Sequence, residues 1–181
     1  MILNAKNNNF RIEFPSEFFY PEVVDKYNFY LKRLPIPYTN MRDFVNASIQ
    51  GVTFPAASGP IVDQTLYEDP VKWKGRGKLE RWISREFSVT FKLYEGYINY
   101  WIMFEQLQKF YAYDQPNYML GDLVLSFLDN SGFEIIAFKF IKVVYQGISS
   151  LDLSFSSNVP DFKTFQCDFV FNYMDIIKRL D

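Results

Sequence analysis

From Phe165 to Tyr173 every second residue is apolar (Phe165, Cys167, Phe169, Phe171, Tyr173), with Gln166, Asp168, Val170 and Asn172 between them. A period of two belongs to a strand that buries one face of a sheet, because successive side chains point to opposite sides. The same alternation runs from Glu86 to Tyr94, where Phe87, Val89, Phe91 and Leu93 are interleaved with Ser88, Thr90 and Lys92, and from Asp122 to Leu128 through Leu123, Leu125 and Phe127. Asp129-Asn130-Ser131-Gly132 supplies turn residues before Phe133 to Phe140, so 122–140 reads as a hairpin. Leu151, Leu153 and Phe155 alternate likewise and, across a polar connection at 156–161, predict a second hairpin with the 165–173 strand. Phe44 to Val52 and Asn9 to Phe14 complete the expected strands, the latter stopped by Pro15. A mainly β, antiparallel chain follows.

One helix interrupts this pattern. Tyr97, Tyr100, Trp101, Phe104, Leu107 and Tyr111 recur at three- and four-residue spacing, Glu105 and Lys109 stand one turn apart, and Gly96 and Pro116 bound a helix near 97–112. Its other side carries Ile98, Ile102, Met103 and Phe110, more than one buried stripe requires, so its outer face is expected to meet another protein. Val24, Tyr27, Leu31 and Leu34 fit a second helix from Pro21 to Leu34, ended by Pro35 and Pro37.

Composition narrows the functions available. At 181 residues the chain fits one domain whose core needs no disulfide or metal. It has no histidine, which removes the usual general base near neutral pH, the commonest zinc ligand and every Ser-His or Cys-His arrangement. The carboxylates form no recognisable acid/base pair, so no catalytic residue, cofactor site or metal site is expected. Cys167 shares a face with Phe165 and Phe169 and is expected to be buried rather than reactive. With 19 basic and 21 acidic residues there is no global field for nucleic acid. The start lacks the apolar stretch of a secretory signal and no run approaches the length of a membrane span, which predicts a soluble chain made in the cytoplasm. The aromatic share, 20%, exceeds what one small core ordinarily buries, and part of it is expected between subunits.

The stretch 67–82 is the most loop-like part. Gly75-Arg76-Gly77-Lys78 fails the Walker A pattern, because Lys72 stands where the first glycine belongs and Leu79 where Ser or Thr holds magnesium. Lys72, Trp73, Lys74, Arg76, Lys78, Arg81 and Trp82 instead read as an inter-subunit surface, since Arg and Trp are common interface anchors.

The order of elements then becomes informative. Phe10-Arg11-Ile12-Glu13-Phe14, a strand ending at Gly51-Val52-Thr53-Phe54-Pro55, the extended basic loop, Trp82 to Phe91, the helix and the closing pattern Phe138 to Ser154 leading to Phe169-Val170-Phe171-Asn172-Tyr173 together resemble the tail tube proteins of contractile bacteriophages, over residues 44–177. The resemblance implies a single tail-tube-like domain over 1–181: an antiparallel β-barrel or sandwich flanked by one helix, with 16–43 as an insertion and 67–82 as an inter-subunit loop. It further implies a non-enzymatic virion protein of the tail, assembled in the host cytoplasm as stacked homohexameric rings around a DNA-conducting channel. Tail sheath, baseplate and tape-measure proteins are the implied neighbours; DNA passes without specific binding, no membrane is entered and no cofactor is needed. The same fold serves the hemolysin-coregulated protein of type VI secretion. The insertion leaves open a baseplate initiator, a tail completion adaptor, or the tube of a related injection system. Part of the polar face at Asp152, Asp168 and Asn172 is expected to line the lumen, where an acidic or neutral wall does not retard DNA.

Overall fold

The computed structural model describes residues 9–33, 38, 40–57, 61–64, 73–76, 84–112, 119–151 and 163–178. Two four-stranded antiparallel sheets form an open sandwich. The first contains, in spatial order, β1 (Phe10–Glu13), β6 (Leu123–Leu128), β7 (Glu134–Ile141) and β10 (Tyr173–Lys178). The second contains β2 (Ile49–Thr53), β5 (Glu86–Lys92), β9 (Thr164–Val170) and β8 (Val144–Ile148). A third, two-stranded sheet pairs β3 (Ile61–Gln64) with β4 (Trp73–Arg76). Three helices accompany them: α1 (Pro21–Leu31), α2 (Met41–Ala47) and α3 (Ile98–Phe110).

The alternation in β5 and β9 does what a period of two dictates. Phe87, Val89, Phe91, Phe165, Cys167 and Phe169 are buried on one face, and the rings pack as offset stacks: Phe91 on Phe165 at 5.1 Å, Phe87 on Phe169 at 5.3 Å. At one end of this face the first sheet closes the core, with Phe87 stacked on Phe140 at 4.6 Å. At the other end α3 closes it, Tyr100 meeting Phe165 edge-on at 5.3 Å. The 122–140 hairpin forms as read: β6 pairs with β7, and Asp129 Oδ1 accepts the amides of Ser131 and Phe133 at 2.8 Å to hold the turn, with Gly132 at φ 85°.

Several expectations change. The strand read from Phe44 to Val52 is helix α2 up to Ala47, and only Ile49–Thr53 is strand. Asn40 caps α2 by accepting the Arg42 amide at 3.0 Å, and Met41, Phe44 and Val45 bury one helical face. The alternation through Tyr173 is broken at Phe171–Asn172, where the chain leaves the second sheet and enters the first as β10. The partner of β9 is β8 as well as β5, so the second hairpin uses 144–148; residues 152–155 lie outside the described set. Within the supposed loop, Trp73–Arg76 is a strand, and the rest of 67–82 lies outside the described residues. Among the described residues the helices number three: the one read from Pro21 to Leu34 forms as α1, and α2 joins the single flanking helix the resemblance implied. The segment taken for an insertion carries α1 and puts Phe18, Phe19, Val23, Tyr27, Leu31 and Met41 into the core.

Helix α3 forms where expected but is turned about its axis. Ile102, Met103 and Phe110 are buried, whereas Tyr97, Trp101, Phe104 and Tyr111 are exposed. Two fully buried amides set this orientation. Asn99 Nδ2 donates to the Lys92 carbonyl at 2.6 Å; Gln106 Nε2 donates to the Phe18 carbonyl and its Oε1 accepts the Tyr20 amide at 3.1 Å. Each satisfies backbone groups that the core would otherwise leave unpaired. Glu105 and Lys109 do not pair with one another but with α1: Glu105 with Lys26 at 2.5 Å, and Lys109 with Glu22.

Candidate functional site

The outward face of the β5 sheet is built from the polar half of the same alternation. Register sets Thr53 beside Ser88, Ser88 beside Asp168 and Asp168 beside Gly147, with Gly51, Thr90 and Gln166 in the next row. These side chains are short, polar and, apart from Asp168, uncharged. Gln166 Nε2 donates to Asp168 Oδ1 at 2.7 Å, a contact along one strand that fixes both heads over the sheet. Near one end the surface is hollowed into a depression of about 600 Å³, whose lining includes Thr53, Ser88, Glu86, Gln146, Gln166 and Asp168. The wall is mainly hydroxyls, amides and two carboxylates; Phe54 and Pro55 stand at its rim, and Lys92 ends the polar row of β5.

Asp168 lies on the polar face of the second sheet. Asn172 lies beyond the end of β9, its Nδ2 donating to the Lys142 carbonyl at 3.0 Å where the chain crosses between sheets. Asp152 lies outside the described residues. So do Lys72, Lys78, Arg81 and Trp82; Trp73, Lys74 and Arg76 belong to β4. The sequence reading passed over Thr53, Ser88, Thr90, Gln146 and Gln166, although Ser88, Thr90 and Gln166 were visible as the polar partners of the Phe87 and Phe165 alternations.

Cys167 is fully buried, 3.1 Å from the Tyr145 hydroxyl, and burial pushes its thiol up. Tyr145 hydroxyl donates to the Met103 carbonyl at 3.2 Å, tying β8 to α3; burial raises it as well. Among the described residues no three His, Cys, Asp or Glu side chains cluster to hold a metal ion, and no described helix is long and apolar enough to cross a membrane.

No protein-family model and no curated protein sequence matches the chain. Solved structures do. A chain of the anti-feeding prophage baseplate, 6-fold symmetrised, aligns over 98% of this chain and 98% of its own with a TM-score of 0.54 at 10% identity. A chain of the anti-feeding prophage tube-terminating cap aligns over 72% of this chain and 80% of its own, with TM-score 0.47 and 11% identity. An Hcp protein aligns over 70% and 67%, with TM-score 0.39 and 13% identity. The sandwich of two four-stranded sheets with its three described helices thus has the tail-tube-like fold, similar to that baseplate chain.

Proposed function

We propose that the protein is a structural ring subunit of a phage-like contractile injection particle, seated where the tube meets the baseplate, and that its work is assembly rather than catalysis. The observation that carries this reading is the full-length likeness to a chain of a six-fold symmetrised baseplate, which includes the α1–α2 segment the sequence reading had set apart. Six copies close a ring through β2 and β8, the outer strands of the second sheet among the described residues, and its polar face, with Asp168, turns to the channel. Closure removes strand edges that would otherwise pair at random. Sheath, further baseplate chains and a tape-measure protein are the neighbours of such a ring, and its cargo passes without specific contact.

Negative-stain microscopy with light scattering on the purified chain tests this. Closed six-fold rings with a central hole, and no long tubes, are expected. Long tubes would reassign the chain to the tube itself, and monomers alone at high concentration would overturn the ring reading.

A further inference from the structure

Among the described residues the first sheet has two free edges, β1 and β10, and the β3–β4 sheet consists of those two strands. The Leu128 amide donates to the Asn9 carbonyl at 2.9 Å, so residues 9, 11 and 13 bond to β6 while the main-chain groups of Phe10, Ile12 and Phe14 point away. The Phe14 amide is taken by Asn46 Oδ1 at 3.0 Å. Those of Phe10 and Ile12 open on a groove of about 440 Å³ between β1 and the Asn46–Gln50 stretch. At the opposite edge, β10 exposes Tyr173 (61%) and Ile177 (53%). Ile61 at the start of β3 is 71% exposed, and a lone two-stranded ribbon is at best marginally stable in water.

We infer that the β3–β4 ribbon is a bridge between neighbouring copies: it lies in the gap between β1 of its own copy and β10 of the next, and joins the first sheets into one outer layer. This rests on the ring reading above. If the second sheet closes around the channel, the first lies about 10 Å further out, so the outer circuit is longer by roughly 60 Å, or about 10 Å per copy; at ~4.8 Å per strand that is room for two strands. The ribbon has two. Phe54 packs on Phe127 and Phe138 of the first sheet at 5.7 and 4.9 Å, so the link from β2 to the ribbon already starts at that sheet; the four positions 57–60 can span at most roughly 13 Å, the order of the gap. Its edges would then find hydrogen-bonding partners on both sides, and the next copy's Tyr173 and Ile177 would be covered.

Cysteine pairs in the full chain test this. Ile61→Cys or Lys74→Cys is combined in turn with Tyr173→Cys, Asp175→Cys or Ile177→Cys, since facing residues on adjacent strands bring Cβ atoms within disulfide reach. Buried Cys167 gives no background. Mild oxidation of assembled rings is expected to turn the monomer band of at least one double variant into a covalent ladder of up to six chains, while single variants stop at dimers. Wild-type rings with no ladder from any pair, or a disulfide within one chain, would overturn the bridge and leave the ring standing. Absence of wild-type rings would overturn both.

Discussion

Gln106 joins the N-terminal segment to α3 from inside the core. It is fully buried, and its amide serves the Phe18 carbonyl and the Tyr20 amide together. Replacing it by an isosteric apolar residue leaves two buried backbone groups without partners, each worth about 1–3 kcal/mol. Gln106→Leu is therefore expected to destabilise the fold by roughly 2–4 kcal/mol in urea denaturation. A shift below about 0.5 kcal/mol, the usual range for surface changes, would mean that water replaces the amide.

At the scale of elements, α3 separates what its sequence discloses from what it conceals. Spacing located the helix, because aromatic residues at three- and four-residue intervals leave no other regular structure. It misassigned the buried face, because both sides are apolar and the deciding residues were polar: Asn99 and Gln106 look like solvent-facing residues until the backbone groups they satisfy are known. The β5 and β9 strands were legible for the opposite reason, since strict alternation admits only one inward face. Helix α2 was not legible, because its seven residues are too few for periodicity to outweigh an apolar run that also suits a strand. The polar rows of the candidate face were in view but depend on register, which no single strand carries. Exposure yields a contrast to measure. Trp101→Gln with Phe104→Gln, on the exposed side of α3, is expected to change unfolding free energy by no more than about 0.5 kcal/mol per site. Phe87→Ala, which removes a ring stacked between Phe140 and Phe169, is expected to cost about 3–5 kcal/mol. Equal effects in thermal melts would mean that α3 sits the other way round.

For the whole molecule, pH acts at one end of the two central strands of the first sheet, β6 and β7. The hydrogen bond from Lys139, at 2.9 Å, and the Lys142 amide hold the Asp122 carboxyl below its usual range, against a smaller opposing effect of burial. A lowered folded-state pKa gives stability that is present above the unfolded value, near 4, and lost as pH falls through the folded one. The pair is partly exposed, so the effect is modest. Asp122→Asn is expected to flatten the decline of urea midpoints below about pH 4, and an unchanged slope would reassign the acid sensitivity to other carboxylates. The Lys142 that contacts Asp122 also marks one of the two places where the chain passes directly, with no helix between, from one four-stranded sheet to the other. Lys142 stands at φ 55° between β7 and β8, and its carbonyl accepts Asn172 Nδ2, while the Asn172 amide donates to the Ile141 carbonyl at 3.1 Å between β9 and β10. The sandwich is thus stitched by two covalent seams lying side by side and bonded to each other. Force applied along the second sheet therefore passes into the first through peptide bonds as well as through side-chain contacts, so sliding one sheet on the other strains the ends of the β8 and β9 ladders.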